Sequence, residues 1–391
     1  MSRIDKLTEE SKTLLLGLYS LASSFSIAII NISLGLSLIL TIFDRIRKSD
    51  FTAYNSKLLF FYSIFSLGVL FSFFDSINLK RSFDYIDIII YPFLIIFIIS
   101  YNKFSIKKIK YITVLINISI LLNILYAFFQ YYRGGLKRIK GNIFVMEFAT
   151  LAGFISIFLI VYLINSNLDL KYKFSFSVLS LFTILSIIFS GTRGIWVAFP
   201  ITIFLLLFLI NKKYIIYFLV FIIFINSSIF LFLPDYYSER LISIFDLTND
   251  RSNVTRILLW KSSLLIFYNN LINGVGLNNF SVEINKDKYF NQSMVSTAHA
   301  HNNFLQLASE TGLIGLFSFL FLLYNVINFL IKFIKKEKNK NYQSFYISVL
   351  GVFILYNLQG LTEYNLEDKY TTFIMWILVS LTLIFHKRIG E

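Results

Sequence analysis

The sequence predicts an all-α fold: a polytopic integral membrane helical bundle of about 12 transmembrane helices carrying one large helical loop. Three observations carry that expectation. Hydrophobic residues fill 57% of the 391 positions and mean hydropathy is +0.70, so polar residues are too few to cover a soluble domain. The apolar residues fall in runs of about 20, the length that crosses a hydrocarbon core of about 30 Å. Only three prolines occur in the chain, and a spanning segment must satisfy its own backbone, which makes each run a helix. Residues 1–391 therefore read as a single integral membrane domain.

Leu14 to Phe43 is too long for one comfortable span and is interrupted by Ser23, Ser24, Asn31 and Ser33. It reads as two short helices; the competing reading is a cleaved leader, with Lys12 before the apolar run and LASS, residues 21–24, as its cleavage site. Further spans are expected near 57–76, 85–100, 111–129, 143–165, 174–190, 194–211 and 214–233. A long outer loop follows over 234–312, and the last spans lie near 313–334, 343–360 and 370–386. Inside the loop, YYSERLISIFDL and NVTRILLWKSSLLIFYNN are amphipathic at helical spacing, and NGVGLNNF, residues 273–280, is a glycine-bearing turn. A GxG without a preceding strand is not a nucleotide signature.

Alternating the loops between two sides puts most of the 36 basic residues on the side of the termini. By the positive-inside rule both termini are then cytoplasmic and the long loop is outside. The net charge of +14 fits loops that meet anionic lipid and does not call for nucleic acid. The absence of cysteine excludes disulfides and thiol chemistry.

One short outer loop runs against the rule. YYRGGLKRIKGN, residues 131–142, holds Arg133, Lys137, Arg138 and Lys140 and no acid, which suits phosphate or pyrophosphate recognition. Asp75, Asp84, Asp87 and Glu147 fall near the outer ends of their spans, where ionisable groups mark a cleft. SGTRG, residues 190–194, flanks Thr192-Arg193 with glycines, so a tight turn can project the guanidinium toward a ligand. Arg256, Trp260 and Ser263 share one face of the second amphipathic helix. In the last outer loop, LTEYNLEDKY, Glu363 is the best polar candidate beside Glu367 and Asp368.

STAHAHNNFLQLASETGLIGL, residues 296–316, holds two of the three histidines. Ser296 or Thr297 is expected to cap a helix over Ala298–Ser309, ending where Gly312 and Gly315 open the next apolar run. The macrodipole of a first turn disfavours imidazolium and leaves a neutral ring able to accept a proton. His299 and His301, two residues apart on a helix, would lie on different faces, and no HExxH-like spacing exists, so no metal is expected.

Taken together, three segments resemble the O-antigen ligase and polymerase superfamily of membrane glycosyltransferases. They are His301-Asn302 followed by Gly312 and Gly315; Arg256 and Trp260 followed by NGVGLNNF; and SGTRG with Arg193. The resemblance implies transfer of a glycan from undecaprenyl pyrophosphate to an acceptor hydroxyl, with inversion, at the periplasmic face of the bacterial inner membrane. Neither metal nor nucleotide cofactor is implied. A ligase uses the lipid A core as acceptor, a polymerase uses another lipid-linked glycan, and O-linked oligosaccharyltransferases share much of the pattern. In these terms His301 is the general base and Arg193 and Arg256 hold the departing pyrophosphate. His299, Asn302, Arg133, Arg138, Lys140, Trp260 and Glu363 are the substrate-binding candidates. A lipid-linked sugar flippase is the reading from another class, but transporters place ionisable groups at mid-membrane, and here they gather at one face.

Overall fold

The computed structural model describes residues 3–53, 56–134, 137–286 and 298–389, and among them every regular element is a helix. Twelve long helices match the twelve expected runs: α1 (Arg3–Ala22), α2 (Ile27–Lys48), α3 (Ser56–Phe71), α5 (Asp87–Ser100), α6 (Ile106–Gly134), α7 (Val145–Asn165), α8 (Leu170–Ser190), α9 (Arg193–Ile210), α10 (Tyr214–Phe232), α14 (Asn303–Lys336), α15 (Lys340–Gln359) and α16 (Lys369–Ile389). Four short or interfacial helices complete the order: α4 (Leu79–Asp84), α11 (Asp235–Ile242), α12 (Arg251–Asn269) and α13 (Phe280–Glu283). Among the described residues nine segments are long and apolar enough to cross a membrane, α4 and α5 together forming one of them. The first apolar run is indeed two helices, broken after Ala22, with the Ser26 hydroxyl capping α2.

α7 is the hub. Of its membrane-crossing stretch 78% is buried inside the protein, against 6% for α10. Small residues explain the difference, because Ala149, Ala152, Gly153 and Ser156 let other helices approach closely. A Cβ on Gly153 would lie 2.5 Å from Leu355 of α15, and one on Gly351 would lie 2.7 Å from Ile157. The Ser156 hydroxyl donates to Thr183 Oγ1 at 2.8 Å and so couples α7 to α8. α10 has no such surface, packs chiefly on α9 and α11, and leaves Ile216, Val220, Ile223 and Phe224 exposed.

The loops sort to two ends of the bundle. At one end Lys12 and Asp44 form a buried pair at 2.9 Å that also engages Arg47 and Lys48. At the other end lie α4, α11, α12, α13 and the turns that follow α8 and α15, and these build the site described next.

Candidate active site

The histidine segment departs from expectation in one respect that matters. Ser296 and Thr297 lie outside the described residues, and the helix begins five residues later than Ala298, at Asn303. Asn302 is its cap, with Oδ1 accepting from the amides of Phe304 and Leu305 at 2.9 and 3.0 Å. An asparagine outranks the backbone of His299 as a cap because its side-chain oxygen satisfies two orphan amides at once. His299 and His301 therefore precede the helix and are not bound by its periodicity. Their rings lie 4.2 Å apart between centroids, edge to face, where a helix would have put them on separate faces.

A left-handed backbone at His301, φ 49°, makes this possible. That conformation costs a non-glycine residue roughly 1–2 kcal/mol, and it turns the His301 amide onto Nδ1 of His299 at 3.3 Å. His301 Nδ1 then meets Glu363 Oε1 at 3.1 Å. Burial raises the Glu363 carboxyl, but the His301 hydrogen bond and the charges of His301, His299 and Arg256 outweigh it and hold the group below its ordinary value. In a neutral ring, a carboxylate at Nδ1 favours the tautomer that carries its proton on that nitrogen. His299 is different. Burial, then the neighbouring His301, pushes it down to about 4, so it is neutral near pH 7.

The same carboxylate joins the histidines to an arginine. Arg256 Nη2 lies 3.8 Å from Glu363 Oε2, and Arg256 Nε donates to the Thr362 carbonyl at 3.1 Å. Burial lowers the Arg256 guanidinium, partly countered by Glu363, yet an arginine stays charged. Arg193 comes in from the start of α9. Its Nη1 reaches Asp250, the N-cap of α12, at 3.0 Å and the Ser243 hydroxyl at 2.8 Å. Thr362 closes the circle, because a Cβ on Gly194 would lie 2.8 Å from its hydroxyl. The glycine after Arg193 thus allows α9 to abut the loop that carries Glu363.

The loop basics divide. Arg138 joins the cluster, its Nε donating to the Ser190 carbonyl at 2.6 Å and its Nη2 to Thr192 Oγ1 at 3.1 Å. Arg133 and Lys140 stay exposed, Arg133 lying 4.9 Å over the Phe129 ring of its own helix, so neither joins the cluster. Asn302 donates its amide to the Leu361 carbonyl at 2.9 Å. Both ends of its side chain are thus engaged inside the protein, directly beside His301. Trp260 shares the Arg256 face, and its buried Nε1 has no hydrogen-bond partner among the described residues.

Sequence reasoning missed the scaffold beneath. Gly312 breaks α14 at φ 62°, and the amides of Leu313 and Ile314 bond to the carbonyls of Leu271 and Ile272 at 2.8 and 3.4 Å. In return Val275 and Gly276 donate to the Ser309 and Glu310 carbonyls at 3.0 and 2.9 Å. The glycine turn and the kinked helix thereby supply each other's backbone partners. Gln306 links this frame to the histidines: its Oε1 accepts from the Ala300 amide at 2.7 Å and its Nε2 donates to buried Glu310 at 2.8 Å. Asn303 pairs with Asn365 at 2.6 and 3.0 Å and ties the helix start to the Glu363 loop. Arg240 was also missed; its Nε donates to the Gly191 carbonyl at 2.8 Å.

His299, His301 and Glu363 offer ligand atoms that all lie within 4.8 Å of one another, so the spacing argument against a shared ion does not hold. Other features favour a hydrogen-bonded relay. His299 Nδ1 accepts from an amide, His301 Nδ1 is committed to Glu363, and a guanidinium already flanks the carboxylate.

Residues 176–320 match the family described as O-Antigen ligase. That stretch contains Arg193, Arg256, His299, His301, Gly312 and Gly315 and stops short of Glu363, and it bears out the resemblance read from the sequence. A Haemophilus influenzae protein described as an uncharacterized protein is 25% identical over 78% of this chain and 79% of its own length. Proteins of Rickettsia felis and Rickettsia bellii, each named "Putative polysaccharide ligase", are 33% and 34% identical over 22% of this chain and 20% of theirs.

Proposed function

We propose that this chain is an O-antigen ligase-like glycosyltransferase that moves a glycan from undecaprenyl pyrophosphate to a hydroxyl of the lipid A core, with inversion and without a metal. The observation that carries the reading is one carboxylate shared by a histidine and an arginine: Glu363 has His301 Nδ1 at 3.1 Å on one oxygen and Arg256 Nη2 at 3.8 Å on the other. Base and electrophilic charge are thereby held in one frame. Family likeness over residues 176–320 and the names of the Rickettsia relatives support the general reaction class.

In this reading the acceptor hydroxyl attacks the anomeric carbon while Nε2 of His301 takes its proton. The bond between that carbon and the phosphate oxygen breaks, and the electron pair leaves with the lipid diphosphate. Arg193 and Arg256 face the charge that grows on the leaving oxygen, and fixed guanidinium groups need no reorganisation to stabilise it. Glu363 keeps the His301 proton on Nδ1 and balances the imidazolium that forms. The site end faces the periplasm and both termini the cytoplasm, an orientation supported by the lysine- and arginine-rich loops at the opposite end.

The test is glycan transfer by purified protein in lipid, with undecaprenyl pyrophosphate glycan and separate lipid A core. Product on the core that His301→Ala abolishes establishes ligation. Longer lipid-linked glycan in its place makes the protein a polymerase, and donor crossing the bilayer without transfer makes it a transporter.

A further inference from the structure

The loop that carries Glu363 continues into the wall of a cavity of about 160 Å³, which lies between the junction of α4 and α5 and the start of α16. Asp84, Tyr85, Asp87 and Tyr91 supply one side of it, Glu367 and Lys369 the other. Among the described residues no arginine lines it. The two sides hold each other in place: the Tyr85 hydroxyl donates to Glu367 Oε2, and Lys369 Nζ pairs with Asp87 Oδ2 at 2.9 Å. Lys369 also lies 5.2 Å over the Tyr91 ring, which Phe373 flanks at 5.4 Å. The polar groups nevertheless stay open. Lys369 and Asp87 keep 36% and 39% of their side-chain surface exposed, and an ion pair that open contributes little, so either partner can turn to a ligand.

Two observations tie this cavity to the histidines. Glu367 follows Glu363 by four residues, and the charges of Glu363 and His301 both act on it. Tyr364 spans the same distance from the inside, with its ring 5.7 Å from the His299 ring and its hydroxyl within electrostatic reach of Tyr85 and Glu367. That residue is only 3% exposed, and its hydroxyl has no hydrogen-bond partner among the described residues. A buried donor left so is costly, and an oxygen arriving from the cavity would satisfy it.

The lining selects its ligand by charge and by shape. Three carboxylates stand against one ammonium, so a phosphate or carboxylate entering here meets net repulsion. Ionised carboxylates only accept hydrogen bonds, whereas each sugar hydroxyl brings a donor. Aromatic rings beside a few placed polar groups complete a pocket for a small, partly apolar ring. A bare cation is the competing fit for clustered acids, but Asp87 and Glu367 are already engaged by Lys369 and Tyr85. We propose that this cavity seats the acceptor sugar, its hydroxyls on Glu367 and Asp87 and the attacking one directed past Tyr364 toward the histidines, and that this sugar is uncharged or amine-bearing and not phosphorylated. This acceptor class rests on the transfer reaction proposed above.

The experiment is binding to the full chain in nanodiscs, followed by saturation-transfer NMR, with methyl β-glucoside, methyl β-glucosaminide and methyl glucoside 6-phosphate as soluble probes. The first two bind and the phosphorylated one does not. Glu367→Gln, whose amide oxygen still accepts from Tyr85, weakens both bound probes about tenfold, the loss of one charge-assisted hydrogen bond. Glu367→Lys shifts the preference toward the phosphorylated probe. In the transfer assay Glu367→Gln raises the acceptor KM about tenfold and leaves kcat and donor KM within about twofold of the parent. Equal binding of the phosphorylated probe by the parent, binding of none of the three, unchanged affinity in Glu367→Gln, or displacement of the glycosides by calcium overturns the site. Transfer with an unaltered acceptor KM in Glu367→Gln also overturns it and leaves the reaction standing. Glycoside binding by these criteria in a protein that transfers nothing overturns the reaction and leaves the site standing.

Discussion

His301 Nδ1 and Glu363 Oε1 lie 3.1 Å apart across 62 positions of chain. One residue precedes α14 and the other follows α15, so the contact exists only when those two helices are correctly paired. The Asn303–Asn365 and Asn302–Leu361 hydrogen bonds hold the same two segments together.

Removing the base and removing its orienting partner differ in kind. His301→Ala lowers kcat for glycan transfer by about 10²–10⁴-fold, the usual contribution of a positioned base. Glu363→Gln keeps the shape but loses the charge that fixes the Nδ1 proton, and lowers kcat by about 10²-fold while folded yield is kept. Comparison of kcat with donor KM, with circular dichroism as a fold control, checks both.

The arginines separate by position. Arg193→Lys and Arg256→Lys keep the charge but lose the planar fork, and each lowers kcat/KM by about 10–100-fold. Arg133→Ala and Lys140→Ala, exposed and apart from the cluster, stay within about twofold of the parent. Steady-state transfer assays on the four variants decide the division.

Acid weakens the histidine segment. His299 falls to about 4 in the folded protein from an ordinary value of 6.5, so between those values the unfolded chain binds more protons and stability rises with pH. Glu363, held below its ordinary value, acts in the same direction at lower pH. Thermal unfolding in detergent should show a midpoint falling from pH 7 toward pH 4, and His299→Asn should flatten the part between about 6.5 and 4.

The glycine frame is intolerant. Gly274 and Gly312 have φ of 68° and 62°, and a Cβ on either would fall 2.3 and 2.2 Å from backbone of the opposing strand of chain. Gly312→Ala and Gly274→Ala each destabilise by about 2 kcal/mol or more, from backbone strain and overpacking together, read as a lower unfolding midpoint or lost folded yield.

Under the proposed mechanism chelation leaves transfer unchanged, since arginine would meet the charge on the leaving group. Zinc in excess inhibits, because the His299–His301–Glu363 trio lies within the reach of one ion. A chelator-sensitive rate restored by a specific divalent cation reverses that assignment.

Sequence periodicity was enough for the helices, since lipid forces each apolar run to satisfy its own backbone. Glycine punctuation drew attention to Arg193 and helix-face spacing to Arg256, and the structure places Arg256 and His301 on the same Glu363 carboxylate. Periodicity failed at the histidines because it was extended across a stretch where Asn302 starts the helix and His301 turns left-handed. Arg240 was overlooked because its signal is tertiary: its Nε donates to the Gly191 carbonyl, 49 positions away in the sequence. Gln306 and Glu310 read as ordinary polar residues of an amphipathic helix, and only the kink at Gly312 shows what they hold.

The slight packing of α10 has a consequence outside the protein. A helix of 19 residues with 6% of its span buried takes its tilt and depth from the surrounding acyl chains. Its fit to the hydrocarbon thickness costs fractions of a kcal/mol per ångström of mismatch, enough to shift it against α9 and α11. The packing of α10 against α9 and α11 should therefore track the thickness of the bilayer in which the protein is reconstituted.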